Sequence, residues 1–242
     1  MKHPVAVTLR LESRPGLSPV LREFVLIAGL FGLYKLGRSL AQGKEPLAFQ
    51  NAQLIRGLEA ALHLPSEAWL QSLVPSAGAF TTLNVYYVGV HFPLMIAFLL
   101  WGFFGRPQPE YRWARNLLIV QTGLALVVHL LFPLAPPRMF PQWGFLDSMT
   151  VYGPSAYDGP SAGVANQFAA MPSLHIGWAV LIAYVVVRTG PRWIAIPAVL
   201  HALFTVAVVV LTANHWWLDG VAGTGLLLMA VAVVRPAPGR WT

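Results

Sequence analysis

The chain has 242 residues, of which 56% are hydrophobic and only 10% charged, a composition no ordinary water-soluble domain shows and one that calls for a membrane protein. Its formal charge of +7 does not point to nucleic acid, because the sixteen Lys and Arg residues sit in short clusters between apolar runs and form no continuous basic stripe; a negatively charged membrane surface fits them better. The absence of cysteine excludes disulfides, thiolate metal sites and a cysteine nucleophile.

A helix needs roughly 20 apolar residues to cross a bilayer. Such segments lie at about 20–37, 80–103, 113–133, 171–188, 193–212 and 216–234. Polar or mixed residues precede the first one and no small-residue cleavage site follows it, so it reads as an uncleaved anchor. Between the first two spans, Pro46 and Pro65 bracket a stretch that brings Leu47, Leu54, Leu58 and Leu62 to helical spacing, with Gln50, Arg56, Glu59 and His63 among them. This predicts an amphipathic helix lying on the membrane, as a roof, a lipid-entry rim or an ordinary packing helix. The expected fold is therefore all-α, with six transmembrane helices in one bundle. Residues 1–79 supply the anchor span and the interfacial helix, and residues 80–242 the remaining bundle.

Six spans put both termini on one side, and Lys and Arg in short loops are retained in the cytoplasm. Lys2, Arg10, Arg14, Arg22, Arg106, Arg112, Arg115, Arg188, Arg192, Arg235 and Arg240 fall on the side of the termini, against Lys35, Arg38, Lys44, Arg56 and Arg138 on the other. The termini are expected in the cytoplasm.

Two polar signatures interrupt the apolar helices: Met171-Pro172-Ser173-Leu174-His175 opens the fourth span, and Asn214-His215-Trp216-Trp217-Leu218-Asp219 opens the sixth. Ionisable groups are costly at membrane depth and mark function by default. The third span ends in Phe132-Pro133-Leu134-Ala135-Pro136-Pro137-Arg138. All three pieces fall on the extracytoplasmic side. Pro172 suits the first turn of a helix, which places Ser173 and His175 at the positive end of its dipole, a ready anion site. Ser173 can donate to a phosphate oxygen, and Arg138 can clamp two oxygens. His215 and Asp219 are spaced i, i+4, so the carboxylate can accept a hydrogen bond from Nδ1–H and fix the tautomer that leaves Nε2 free to attack phosphorus. His175 would serve as the general acid and base.

Blander readings stand beside these. Isolated intramembrane histidines such as His91, His129 and His201 are more often interhelical hydrogen-bonding residues than catalysts. His91 lies one turn beyond Tyr87, and the two could line the same cavity with Asn214. A His-x-x-x-Asp pair could ligate a metal, but the nearby serine and arginine suit an oxyanion better, and no metal site is expected. Arg138 alone would pass for a snorkelling interfacial arginine.

Ala-Met-Pro-Ser-Leu-His at 170–175 and Ala-Asn-His-Trp-Trp-Leu-Asp-Gly-Val-Ala-Gly at 213–223 resemble the second and third signature motifs of the type 2 phosphatidic-acid phosphatase superfamily. Pro-Pro-Arg at 136–138 resembles the shortened first motif of its inositol phosphorylceramide synthase-like branch. The resemblance covers the layout from about residue 80 onward and implies a metal-independent, cofactor-free enzyme. Its phosphoryl or phosphodiester group passes through His215, with Asp219 behind it and His175 as acid and base. Superfamily phosphatases usually carry a lysine seven residues before the first-motif arginine and an arginine six before the nucleophile; here those positions are Leu131 and Val209. A cradle poorer in cations favours the single charge of a phosphodiester, and so head-group transfer from a lipid to an alcohol acceptor, with phosphate hydrolysis as the alternative. Arg38, Lys44 or Arg56 could refill the cradle from the first outer loop.

The loop from about 134 to 170 is long for a segment without regular structure and reads as a lid or as flexible filler. It holds Gly153-Pro154-Ser155-Ala156 and its echo Gly159-Pro160-Ser161-Ala162. A function of another class, a non-catalytic lipid transporter or binding protein, would also need intramembrane polar groups. Transporters, however, often show internal repeats and helices broken at the midplane, which this sequence lacks.

Overall fold

The computed structural model describes residues 17–40, 43–156 and 167–236. Its helices run in chain order: α1 (Leu17–Leu40), α2 (Glu45–Ala61), α3 (Glu67–Ser72), α4 (Ala77–Gly89), α5 (His91–Gly105), α6 (Gln108–Leu131), α7 (Ser148–Tyr152), α8 (Leu174–Thr189), α9 (Arg192–Leu211) and α10 (Trp217–Val233). There is no strand among the described residues, only an isolated bridge between Leu134 and Ala169. Three helical units are long and apolar enough to cross a membrane: Ala77–Gly105, which joins α4 to α5, then α6, then α9. The shorter apolar helices α8 and α10 have 16 and 17 residues. The second span bends at Val90, between α4 and α5. Pro93 causes the bend, because it has no N–H for the Gly89 carbonyl and its ring crowds that turn.

Helix α8 is central and packs against α5, α6, α9 and α10. Ala179 and Leu181 on it are fully buried within a core shared with Leu117 and Ala125 of α6 and with Leu227 and Ala230 of α10. The exterior is also apolar, with Ile96, Leu100, Phe104, Leu200, Leu203 and Leu228 all exposed. Lipid replaces water on such a surface, so internal polar groups must find partners inside the bundle. Trp178 Nε1 accordingly donates to Thr122 Oγ1, and Gln121 Nε2 to the Gly223 carbonyl.

Helix α2 is amphipathic, but its buried face is not the leucine stripe. Ala48, Ala52, Ile55 and Glu59 turn inward, while Leu47, Leu54, Leu58 and Leu62 are exposed. Small alanines allow close docking: Ala48 accepts a hydrogen bond from the Ala135 amide, and Asn51 donates to the Pro133 carbonyl.

The segment after α6 is more ordered than a structureless lid. Pro137–Met139 and Pro141–Trp143 form 3₁₀ turns, and α7 is capped by Asp147 and anchored to α4 by Asn84, which bonds Ser148 twice. Proline at the start of each 3₁₀ turn fixes φ and sacrifices an amide that would have had no partner. The echo at 159–162 falls within residues 157–166, which lie outside the described residues.

Candidate active site

The site is built where the chain enters α8 and α10. Ala213 takes a left-handed conformation (φ 54°), which turns the chain sharply out of α9, so that both the Asn214 and His215 amides reach back to the Val209 carbonyl. Trp216 is buried, donates from Nε1 to the Ala135 carbonyl and is surrounded by Phe140, Trp143 and Phe145. It pins the segment to the loop that carries Arg138. Asp219 accepts the Trp216 amide at 2.9 Å and so fixes the start of α10.

His215 is then fixed by two acceptors: its Nδ1 lies 3.0 Å from the Ala170 carbonyl oxygen and 3.2 Å from Asp219 Oδ2. A carbonyl can only accept, so Nδ1 carries a proton, and in the neutral ring the lone pair is on Nε2. Asp219 is fully buried, and its other oxygen has no donor.

Helix α8 begins at Leu174, two residues after Pro172, where the sequence implied its first turn. Ser173, not Pro172, marks the boundary: it is the N-cap, and its Oγ accepts the Ile176 amide at 3.3 Å. Serine satisfies a free first-turn amide better than proline can, so proline is pushed out of the helix. The Ser173 hydroxyl proton remains available to donate. Its own amide donates to the Asp219 carbonyl, which ties the two signatures together. Their closeness depends on glycine: a Cβ on Gly223 would collide with the Ser173 carbonyl, and one on Gly220 would come within 2.6 Å of Ile176 Cδ1.

His175 lies across the site, its ring centroid 5.9 Å from that of His215. Tyr87 stacks on it at 4.2 Å and His91 lies tilted at 4.5 Å. His91 is buried, and neither of its nitrogens has a hydrogen-bond partner among the described residues. Of the remaining intramembrane histidines, His201 bonds the Tyr86 hydroxyl of α4, and His129 bonds the Met171 carbonyl just before α8.

Arg138 is the only buried Lys or Arg among the described residues. Its guanidinium donates to Asn214 Oδ1, Asp147 Oδ2 and Gln167 Oε1, each at 3.1 or 3.2 Å, and its amide donates to the Ala213 carbonyl. It is therefore a positioned group of the site rather than a snorkelling surface cation. Sequence reasoning missed Asp147 and Gln167; the only local signal was Asp147 three residues before Thr150, an N-cap spacing.

The sequence also offered replacement cations. Lys44 instead donates to the Leu130 carbonyl, and the Arg56 guanidinium lies 4.5 Å over the Trp143 ring; the Arg38 side chain lies outside the described residues. Leu131 is 76% exposed, whereas Val209 is fully buried beside Tyr87, Met149 and Ile176. Among the described residues no three His, Asp or Glu side chains form a metal-binding group.

No curated protein and no solved structure matches the chain. A family profile does, from residue 53 to residue 233, a range that contains every site residue described above, and by it the chain belongs to the PAP2 superfamily.

Proposed function

We propose that this protein is a membrane-embedded lipid phosphotransferase that works through a phosphohistidine at His215. Membership of the PAP2 superfamily suggests phosphatase or phosphotransferase activity on lipid phosphates, and the orientation of His215 is the observation that carries the finer reading. With Nδ1–H held by Ala170 and Asp219, Nε2 attacks phosphorus, and the bond to the departing lipid oxygen breaks as His175 protonates it. The phosphorylated ring is cationic, and the buried Asp219 carboxylate, with one oxygen unmatched by any donor, stabilises that charge. In the second half His175 takes the proton of an incoming hydroxyl, the new P–O bond forms, and the P–Nε2 bond breaks.

Arg138, the Ser173 hydroxyl and the first-turn amides of α8 supply the phosphate cradle. Asp147 already offsets the Arg138 charge, and apolar side chains occupy positions 131 and 209. Such a cradle suits the single charge of a phosphodiester better than the two of a phosphomonoester, which favours head-group transfer over hydrolysis. The test is lipid mass spectrometry with a free-phosphate assay on purified protein, given phosphomonoester and phosphodiester lipids, alcohol acceptors and a chelator. A new phosphodiester lipid without phosphate release supports transfer; efficient hydrolysis of phosphatidic acid with phosphodiesters ignored sinks it.

Arg138→Lys should lower kcat/KM about 10²-fold, because a point charge cannot hold Asn214, Asp147 and Gln167 in one plane and still grip phosphate. Steady-state kinetics check this, and activity within about twofold of the parent would argue against the cradle.

The exposed apolar belts fit a membrane bundle with the leucine stripe of α2 in the lipid interface, and the bias of Lys and Arg favours six crossings with both termini cytoplasmic and the site at the extracytoplasmic face. Because the chain has no cysteine, single cysteines report topology cleanly. Gln142→Cys should react with a membrane-impermeant maleimide in intact cells and Arg112→Cys only after permeabilisation. The opposite pattern would invert the orientation.

A further inference from the structure

Three carboxyls from three helices meet the start of α10. The Trp216 amide goes to Asp219, the Trp217 amide donates to Glu67 of α3 at 3.2 Å, and the Leu218 amide donates to Glu59 of α2 at 2.9 Å. The positive end of this helix is thus filled by the protein's own side chains, which leaves the end of α8 for substrate. Glu59 and Glu67 are 4% and 5% exposed, and no Lys or Arg among the described residues pairs with either. Glu59 Oε2 has no donor among the described residues, and the two carboxyls are neighbours because they accept from the amides of consecutive residues, Trp217 and Leu218. Two carboxylates buried side by side repel, whereas one proton between them makes an O–H···O bond and satisfies the orphaned oxygen. Among the described residues, the other titratable groups facing the pair are Asp219 and, behind it, His215. The end of α9 against α3 is Val208, Val209, Val210 and Leu211, which carry no titratable group.

We propose that Glu59 and Glu67 are positioning residues: a carboxyl–carboxylate clamp, sharing one proton, that docks α2 and α3 on the first turn of α10 and so holds the His215–Asp219 pair in register with Ser173 and His175. The catalytic half of this proposal rests on the reading of His215 as nucleophile; the clamp itself does not. Gln71, one turn after Glu67, reinforces the docking by bonding both the Leu146 main-chain groups and the Leu211 carbonyl. The exposed leucines of α2 then link the lipid-facing rim to the start of α10, directly after the nucleophile.

Burial and the neighbouring Glu67 push the Glu59 carboxyl up to about 9, from 4.5 in the unfolded chain. Between these values the folded protein holds a proton that the unfolded chain has lost. The stabilisation is complete below the lower value, declines as pH rises and is gone above the upper one. Glutamine at position 59 mimics the protonated acid: its oxygen accepts the Leu218 amide and its NH₂ donates to Glu67.

The test compares the detergent-solubilised wild type with Glu59→Gln and Glu59→Ala by thermal unfolding and by phosphotransfer kinetics from about pH 6 to about pH 9.5. The wild-type unfolding midpoint should fall across this range, and Glu59→Gln should lose most of that slope. Glu59→Gln should keep activity within about threefold of wild type at neutral pH and exceed it at the alkaline end, while Glu59→Ala should lose about tenfold or more in kcat with little change in KM. A Glu59→Gln profile as steep as wild type would overturn the clamp, as would full kcat in Glu59→Ala. If no protein turns over any phospholipid, the phosphotransfer reading fails, and the unfolding slopes still decide the clamp. If Glu59→Ala does not fold, the glutamine comparison decides it.

Discussion

Replacing His215 with alanine will abolish phosphoryl transfer, with kcat falling on the order of 10⁴-fold or more, while the protein stays folded. The loss is large because no neighbour can take over the attack. His175 sits across the site with its ring centroid 5.9 Å away, placed to exchange protons with the oxygen that leaves or enters. The fold should survive because Asp219 keeps its bond to the Trp216 amide and Trp216 keeps its aromatic surround. The change removes two hydrogen bonds from His215, a cost of about 1–3 kcal/mol. Turnover and thermal unfolding measured on the same preparation check the prediction; residual turnover above about a tenth of wild type would exclude His215 as the nucleophile.

Gly223→Ala is expected to damage both stability and activity, although the residue touches no substrate. Its Cβ would overlap the Ser173 carbonyl, a backbone atom at the N-cap of α8 that cannot rotate away. To make room, α8 and α10 must separate, which strains the Gln121 bond to the Gly223 carbonyl and the Ser173 amide bond to Asp219. Overpacking at such a crossing costs about 1–3 kcal/mol, and a shift of about 1 Å between catalytic groups costs about 10²-fold in rate. Gly225→Ala, with open space around its Cβ position, is the control and should be silent. An active, stable Gly223→Ala would mean that the spacing of the two helices does not set the chemistry.

Much of this arrangement was legible in the sequence, and the failures share a physical cause. Ser173, His175, His215 and Asp219 stood out because polar groups are rare in apolar helices, and their arrival at one place followed from where the spans begin. Arg138 was legible only by coincidence with them; its partners Asp147 and Gln167 were not, because a long loop carries no periodicity from which to infer contacts.

Helix α2 is the instructive case. Spacing identified two faces, but in a membrane the leucine face can turn to lipid, so the face bearing Ala48, Ala52 and Glu59 is the one that packs. Glu59 therefore read as a solvated polar residue when it is a buried contact of α10. The family match takes in the end of this helix and all of α3, since it begins at residue 53. The offset at Pro172 is smaller and has a local cause, since serine outcompetes proline for the capping position.

The account turns on a covalent bond between phosphorus and His215 Nε2, so trapping that bond is the most direct test. Purified wild type and His215→Ala would be mixed briefly with a phosphodiester lipid bearing radiolabelled phosphate, quenched in alkali and digested for peptide mapping. The account predicts an alkali-stable, acid-labile label on the wild-type peptide that contains His215, absent from the variant and discharged when an alcohol acceptor is added before the quench. Product formed at the full rate with no label on His215, or with the label on another residue, would contradict it.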